Sequence, residues 1–229
     1  MNTKKEFFYN SKWNNYDETL KNKEENKMQN DSFTNLDFRD SDIGNIDLKE
    51  KNLSNSNFDK VNAKNISFKD SKLVKAKLRG TNLIGAKFIN SFLSECYFKG
   101  ANLKNSVFNN AVLDNLNLRN LKIWGASFKN ALLKNISFSR SDLDGVNFMA
   151  SKMRECVFHY CKLREANFKD ADLRFSSFFK ANLKRCDFRN ADLRDTDIEQ
   201  AHLVGAFFNS KTKLPFSRER AMQLGMVMS

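Results

Sequence analysis

The chain has 229 residues, 39 Lys and Arg against 27 Asp and Glu, and a formal net charge of +12. It also has 22 Phe but only 8 Gly and one Pro, which is unlike an ordinary globular domain, and its four Cys do not indicate a disulfide scaffold. No stretch approaches 18 apolar residues, and the N-terminus lacks the apolar core of a signal peptide. We therefore expect a protein of a reducing compartment, most simply the cytoplasm, with no membrane contact. The basic charge points towards acidic partners.

The first 30 residues are rich in Lys, Asn and Glu and follow no repeat. Their apolar and aromatic side chains include Phe7, Phe8, Trp13, Tyr16 and Leu20. Two interpretations of residues 1–30 stay open. They form either a cap on the structure that follows or a partly disordered arm.

A five-residue repeat then runs from residue 31 to residue 210 without a break in phase. Stepping by five from Phe33 to Phe208 reaches 36 central positions, of which 35 hold Leu, Ile, Phe or Met and only Ala63 is small. Two residues before each centre, Ala, Ser, Thr or Cys fills 26 of the 36 sites. Residues two apart on an extended chain share a face, so each repeat directs one large and one small side chain into the core.

The second residue after each centre indicates a turn, because Gly or Asn holds 18 of those 36 sites. Both residues accept the positive φ that a type II turn requires, so the chain bends in every repeat and closes into a coil. The centres alternate, with Phe at 14 of the 18 positions in the series from Phe38 and only at Phe33 in the other series. A coil must then hold a multiple of ten residues. Ten residues make only two sides and cannot enclose a core, so we predict a four-sided coil of twenty residues.

This repeat resembles that of the pentapeptide-repeat family. The motif Ala-(Asp/Asn)-(Leu/Phe)-X-X is present as ANLKN, ANFKD, ADLRF, ANLKR and ADLRD. The resemblance covers residues 31–210 and implies an all-β solenoid, namely a right-handed quadrilateral β-helix. About nine coils at about 4.8 Å each would form a rod about 43 Å long.

Some positions depart from the repeat. Asp31 and Lys51 stand at sites that should be small and inward, so we expect a ragged first coil. Ala63 leaves a central site underfilled, and Val61 and Ile66 at neighbouring small sites are expected to fill the space. The repeat region has no loop insertion, whereas family members linked to quinolone resistance often carry such loops.

Residues 211–229 leave the repeat and predict a short C-terminal helical cap. Ser217 is a good N-cap, Arg218 to Leu224 can form two helical turns, and Gly225 suits the end of a helix. Solenoids must cover their terminal coils, which favours a cap. The alternative is a dimer contact, because family members often dimerise near this end.

The residue pattern predicts no catalytic residue, no cofactor and no metal site. Cys96, Cys156, Cys161 and Cys186 all occupy the small inward site, which indicates packing. The two His residues, His159 and His202, do not join these cysteines in a metal-binding spacing. We also expect no Ser or Cys to lie beside a base that could activate it. The sequence therefore predicts that the protein is not an enzyme.

Three surface features are candidates for partner binding, because residues twenty apart stack in columns. The first is an apolar column at an outward site, the second an aromatic cluster, and the third a basic patch. The apolar column consists of Phe92, Val112 and Leu132, and either a partner or residues 1–30 would cover it. The aromatic cluster consists of His159, Tyr160, Phe175 and Phe179. The basic patch consists of Lys60, Lys64, Lys69, Lys72, Lys75, Lys77, Arg79, Lys87, Lys99 and Lys104.

These features favour a protein-interaction scaffold whose partner is unknown and which could form a homodimer. Two alternatives remain. The family resemblance includes proteins that mimic DNA and protect type II topoisomerases from quinolones. That role needs an acidic face, whereas residues 31–210 carry 29 Lys and Arg against 21 Asp and Glu. The other alternative is weak, non-specific binding of nucleic acid through the basic patch, where exposed aromatic residues are few.

Overall fold

The computed structural model describes residues 33–39 and 41–229. The predictions for residues 1–30 and for Asp31 fall outside these residues. The described chain winds as a solenoid in which each coil pairs with the next through parallel bridges, such as Asp37 with Asn57. The partners are twenty residues apart throughout the repeat region. This register confirms the twenty-residue coil.

Most rungs of the ladder are single bridges, and they lengthen into strands in two places. Strand β1 (Val112–Asp114) pairs in parallel with β2 (Leu132–Lys134). Strand β3 (Phe207–Phe208) pairs in parallel with β4 (Val227–Met228). A 3-10 helix (Ile198–Gln200) lies near the end of the repeat region, and helix α1 (Arg218–Gln223) precedes β4.

The corners of the coil form at the second residue after the centres, as the turn chemistry predicts, and φ is positive at every described corner except Gln200 and Ser210. The φ angle there is 60° at Asn55, 62° at Phe175 and 64° at Gly80. A hydrogen bond of 3.1 Å from the Ser56 N–H to the Leu53 carbonyl closes one such turn. Left-handed φ costs non-Gly residues about 1–2 kcal/mol. The left-handed conformation is stabilised because the N–H groups at the corners donate hydrogen bonds to the next coil, as the Asn55 N–H does to the Val74 carbonyl at 2.9 Å.

The four sides are numbered here by their central residues, which recur every twenty positions. Side 1 runs from Phe33 to Leu193, side 2 from Phe38 to Ile198, side 3 from Ile43 to Leu203 and side 4 from Leu48 to Phe208. Phe fills most centres of sides 2 and 4, and Leu most centres of sides 1 and 3. The central and small residues of the repeats form one continuous hydrophobic core.

Phe rings on sides 2 and 4 stack along the rod. On side 4 the Phe108 ring lies 4.6 Å from those of Phe88 and Phe128, with interplanar angles of 4° and 2°. Rings on opposite sides meet edge to face, as Phe128 does with Phe138 at 6.1 Å and 84°. Both are preferred geometries for aromatic pairs, so the columns brace each other across the core.

The small inward residues satisfy their polar groups on the main chain. The Ser176 hydroxyl donates to the Met153 carbonyl at 2.6 Å, and the Cys186 thiol to the Leu163 carbonyl at 2.9 Å. All four cysteines are buried and unpaired, as their inward placement predicts. Burial raises the pKa of the Cys156 and Cys161 thiols to about 12. These thiols fill space and are poor nucleophiles at neutral pH.

The irregular positions behave as expected at the start of the rod. Lys51 is only partly buried, and Phe33 remains 43% exposed at the first described centre. Ala63 is fully buried together with Val61 and Ile66. All three side chains are therefore part of the hydrophobic core.

The ladder continues past residue 210 with a shift of one residue. Asp192 bridges Lys213, twenty-one positions later, and Thr212 takes the small inward site. The Thr212 hydroxyl donates to the Phe188 carbonyl at 3.0 Å, and the Asn209 side chain accepts the Thr212 N–H at 3.1 Å. These bonds hold the extra residue in an ordered corner.

The C-terminal segment contains the helix that the sequence predicts. The Ser217 hydroxyl accepts the Arg220 N–H, and α1 ends at Gln223, one residue earlier than expected. Gly225 has a φ of 84°. Ala221 and Met226 join the buried core, and β4 adds a parallel partner to β3.

Candidate interaction surfaces

The apolar column lies on the outer face of side 1. Phe92 bridges Val112, and Val112 pairs with Leu132 across β1 and β2, so the three side chains occupy consecutive rungs. Val112 is only 8% exposed, and its two neighbours are partly buried. The column is therefore a shallow apolar strip whose outer residues, Phe92 and Leu132, offer most of its accessible surface.

An ion-pair array continues the same outward column towards the C-terminus. Leu132 bridges Lys152, after which Asp172 and Asp192 follow on successive rungs. Asp172 accepts hydrogen bonds from Arg154 at 2.7 Å and from Arg174 at 2.8 Å. The charges near this end of side 1 therefore pair among themselves.

Burial and pairing act in opposite directions on these carboxyls. Desolvation raises the pKa of Asp172, and the hydrogen bond from Arg154 only partly offsets it. Desolvation also acts to raise the pKa of Asp192, but the hydrogen bonds from Arg194 lower it below its usual range. The carboxylates at this end of side 1 are thus paired with arginines. The apolar strip is therefore the distinctive feature of side 1.

Three of the four residues in the aromatic cluster meet on side 2. The Phe179 ring contacts Tyr160 at 5.6 Å and His159 at 5.9 Å, both edge to face. Lys180 Nζ lies 5.2 Å from the Phe179 ring centroid, and the Arg140 guanidinium lies 5.7 Å from that of Tyr160. Phe175 is exposed at the preceding corner of the coil, so it belongs to a different edge of the rod.

His159 also begins a series of side-chain hydrogen bonds that the sequence did not reveal. His159 Nε2 is 2.6 Å from Ser177 Oγ, which is 2.5 Å from Asp197 Oδ2. The expectation that no serine lies beside a base is therefore wrong at Ser177. The expectation failed because it treated each repeat separately, whereas these residues stand on three successive rungs.

The direction of these hydrogen bonds favours a structural role for His159, Ser177 and Asp197. The Ser177 hydroxyl donates its only proton to Asp197 Oδ2, so it accepts from His159 Nε2–H. The other carboxylate oxygen of Asp197 accepts the Phe178 N–H. Because His159 acts as a donor here, it does not take the serine proton. These hydrogen bonds instead hold the His159 imidazole against the Phe179 ring.

The ten residues of the basic patch do not share one face. The position of a residue within the twenty-residue coil determines the side on which it lies, and the ten basic residues are spread over all four sides. Side 1 carries Lys72 and Lys75, side 2 Lys60, Lys77, Arg79 and Lys99, side 3 Lys64 and Lys104, and side 4 Lys69 and Lys87. The patch is a belt around the rod, and its largest group lies on side 2.

Two exposed rings stand next to cations of this belt. The Arg79 guanidinium lies 5.1 Å from the Tyr97 ring centroid on side 2, and Lys104 Nζ lies 4.9 Å from that of Trp124 on side 3. Trp124 was not among the candidate residues from the sequence. Its position twenty residues after Lys104 could have identified the contact, because residues twenty apart stack in one column. Over the described ranges, no three or more His, Cys, Asp and Glu side chains are arranged to hold a metal ion. Nor does any helix there combine the length and apolar character needed to cross a membrane.

Comparison with known families agrees with this architecture. The profile of the family described as a pentapeptide repeat region matches residues 79–148 and 142–208, more than half of the chain. A second profile, for pentapeptide repeats in eight copies, matches residues 37–73. The chain therefore belongs to the pentapeptide-repeat family, whose members form right-handed quadrilateral β-helices.

Several solved structures are similar in fold. Full-length QnrB1, a plasmid-mediated fluoroquinolone resistance protein, is 16% identical, with 86% of this chain and 93% of that chain covered and a TM-score of 0.41. HetL, involved in heterocyst differentiation regulation in Nostoc sp. strain PCC 7120, is 21% identical, with 87% and 96% covered and a TM-score of 0.35. The pentapeptide repeat protein alr5209 from Nostoc is 24% identical, with 54% and 84% covered and a TM-score of 0.25. No curated protein matches the chain.

Proposed function

We propose that this protein is a non-enzymatic interaction scaffold that binds a partner protein through the apolar strip of side 1. The observation that carries the proposal is the placement of Phe92, Val112 and Leu132 on consecutive rungs of one outer face. Outward sites elsewhere in the repeat mostly hold polar residues, so three apolar side chains in line favour a contact surface.

The rod suits this role because its surface is preorganised. Thirteen Phe side chains are buried to below 2% exposure, and every rung of the strip is hydrogen-bonded to its neighbours. A rigid surface loses little conformational entropy on binding. A partner that places an extended or helical apolar segment along side 1 would cover Phe92 and Leu132. The ion pairs around Asp172 and Asp192 would mark one end of its footprint.

The proposal extends to the shape and location of the scaffold. About nine coils would form the rod, and residues 211–229 would cover its C-terminal end through Ala221 and Met226. Four buried, unpaired thiols suit a reducing compartment such as the cytoplasm.

Charge argues against the alternative role in protecting a topoisomerase by mimicry of DNA. Such mimicry needs lines of carboxylates, whereas the chain carries a net charge of +12. Several of its carboxylates are also engaged in ion pairs, as Asp187 is with Arg189 at 2.6 Å and Asp144 with Arg164 at 2.5 Å. Protection of a gyrase from quinolones by this basic protein would contradict the charge argument.

The test is comparative capture of partners from the native cell, with nuclease-treated and untreated lysates. The test variant is Phe92→Asn with Leu132→Asn, since Asn already occupies this column at Asn52. The matched control is Val107→Asn with Val157→Asn, which removes partly buried outward apolar residues from sides 4 and 2.

A protein captured by the wild type and by the control, but not by the side 1 variant, supports the proposal. Capture that is equal for all three variants, or that disappears with nuclease, contradicts binding of a protein by this strip. Light scattering on the wild type and the side 1 variant identifies a homodimer, which the double substitution would dissociate.

A further inference from the structure

Side 2 carries a long surface without acidic residues. Its repeats from residue 76 to residue 180 comprise residues 76–80, 96–100, 116–120, 136–140, 156–160 and 176–180. Not one of these 30 residues is Asp or Glu. At a rung spacing of about 4.8 Å, six consecutive coils extend over about 24 Å. Acidic groups return only beyond each end, at Asp59 and at Asp197 with Glu199.

Six cations are distributed along this surface, and all are exposed. They are Lys77, Arg79, Lys99, Arg119, Arg140 and Lys180. Within the described part of the chain, Arg79 is the only one of the six with a carboxylate at salt-bridge distance, Asp59 at 3.9 Å. The positive charge of side 2 is therefore largely uncompensated over six rungs.

The other three sides mix charges over the same length. Side 1 has Asp172 among its arginines, side 3 has Asp144 paired with Arg164, and side 4 has Asp187 paired with Arg189. The basic character of side 2 is thus a property of one face and not only of the net charge.

Aromatic rings stand between the cations of side 2. Tyr97 and Tyr160 are 46% and 47% exposed, and Phe179 lies beside Tyr160. Arg79 lies against the Tyr97 ring, and Lys180 lies 5.9 Å from the Tyr160 centroid. Next to Tyr160, the hydrogen bonds from His159 through Ser177 to Asp197 hold the His159 ring against Phe179. Each of these rings therefore lies in contact with a neighbouring side chain.

We propose that side 2, from Lys77 to Lys180, is a binding face for single-stranded nucleic acid. A line of cations follows a phosphate backbone, and exposed rings stack unpaired bases, which together are the two elements of sequence-tolerant single-strand binding. An acidic protein would engage the cations but has no use for the rings. A duplex keeps its bases inside and would also leave the rings unused. The inference does not rest on the protein-binding role of side 1.

The experiment measures fluorescence anisotropy of a labelled 15-nucleotide oligothymidine with the full-length protein between 50 and 300 mM salt. A hairpin duplex and inorganic polyphosphate serve as comparison ligands. If all six cations engage phosphates, the logarithm of the affinity should fall with that of the salt concentration with a slope of about −4. The single strand should bind more tightly than the duplex.

A pair of charge variants separates side 2 from net charge. The test variant is Lys77→Glu, Lys99→Glu, Arg119→Glu and Lys180→Glu. The control is Lys64→Glu, Lys122→Glu, Lys162→Glu and Lys184→Glu, which changes the net charge equally on exposed sites of side 3. The loss of affinity for the oligothymidine should be at least about tenfold greater in the test variant than in the control, because the cations of side 2 contact the strand directly.

A pair of ring variants separates nucleic acid from other polyanions. Tyr97→Asn with Tyr160→Asn should weaken oligothymidine binding at least about fivefold per ring and leave polyphosphate binding unchanged. Trp124→Asn with Phe175→Asn removes exposed rings that lie off side 2 and should have no effect. Circular dichroism and the thermal midpoint check that each variant is folded.

Several outcomes would overturn the proposal. One is no binding of the oligonucleotide at 50 mM salt, and another is equal loss in both charge variants, which would assign binding to net charge alone. Retained affinity in the Tyr97 and Tyr160 variant would leave side 2 as a general polyanion surface, such as one for an acidic protein. Tighter binding of the duplex would also contradict it.

Discussion

At the scale of the residue, the corner positions show why Asn is frequent in this chain. Asn tolerates left-handed φ, but it also links one coil to the next. The Asn110 amide donates to Asn90 Oδ1 at 3.0 Å, and Asn130 donates to Asn110 Oδ1 at 3.2 Å. Asn90 in turn donates to Asp70 at 2.7 Å. A single residue type thus supplies both the turn and a ladder of side-chain hydrogen bonds along the edge.

Substitutions at Asn110 separate these two contributions. Asn110→Gly keeps the left-handed corner but removes two ladder bonds, and should lower the free energy of unfolding by about 0.5–1.5 kcal/mol. Asn110→Ala also loses the conformational tolerance and should lower it by about 1–2 kcal/mol more. Chemical denaturation of both variants measures the difference. Equal stability of the two variants would show that corner conformation is not limiting at this position.

At the scale of the element, the Phe columns are the main axis of the core. Phe128 is fully buried and stacks on Phe108 at 4.6 Å and on Phe148 at 5.2 Å. On side 2 the corresponding column is interrupted by Leu78 and Leu118, so the fold accommodates single Leu residues at such centres.

Replacing Phe128 tests the core from both directions. Phe128→Leu removes two stacked pairs and should cost about 1–3 kcal/mol while leaving a folded protein. Phe128→Asp buries an unpaired charge and should unfold the protein. Circular dichroism and denaturation curves distinguish the two results. A folded, cooperative Phe128→Asp variant would contradict the placement of this side chain in a dry core.

The C-terminal segment tests how the last coil is protected. Ending the chain after Phe216 removes β4 and the buried Ala221 and Met226, and leaves Phe208 without its covering rung. We expect a lower thermal midpoint and increased binding of an apolar dye. Ser217→Ala is a milder control, because it removes only the N-cap of α1 and should cost about 1 kcal/mol. An unchanged midpoint and dye response in the truncated protein would exclude a covering role.

At the scale of the whole molecule, the buried thiols make global stability depend on pH. Burial raises the pKa of Cys156 and Cys161 from an ordinary 9.0 to about 12, and raises those of Cys96 and Cys186 as well. Above pH 9.0 the thiols of the unfolded chain ionise, whereas those of the folded chain stay protonated. Stability is therefore fully present below pH 9.0 and is lost as pH rises towards about 12.

By pH 10 the expected loss is about 1.4 kcal/mol for each thiol. Urea unfolding at pH 8 and pH 10 measures it. The control is a variant with all four cysteines replaced by Ala, the commonest residue at these sites. Its loss of stability reports the contribution of the lysines, which also titrate in this pH range. The wild type should lose more stability than this variant over the same interval. Parallel losses in both proteins would show that the thiols are not the groups responsible.

Much of the fold could be predicted from the sequence because each repeat is a local rule. A large centre, a small partner two residues earlier and a corner residue that accepts positive φ determine the bend, and the alternation of Phe and Leu determines the twenty-residue coil. Phe92, Val112 and Leu132 could be placed in one line for the same reason, since stacking follows from position alone. The extra residue before Thr212 could not be predicted, because the motif there is lost and only the ladder bonds show that the coil continues.

The sequence by itself determined the path of the backbone, the identity of the core and the columns in which surface residues stand. Only the tertiary structure decided which columns act together. It showed that Lys77, Arg119, Arg140 and Lys180, which share side 2, have no carboxylate at salt-bridge distance within the described residues, whereas Arg79 on the same side has Asp59. It also placed His159 beside Ser177 and Asp197 from three successive rungs. The physical reason is that the repeat encodes contacts within a coil, whereas charge pairing and ring contacts depend on distances between coils, which only the wound rod defines.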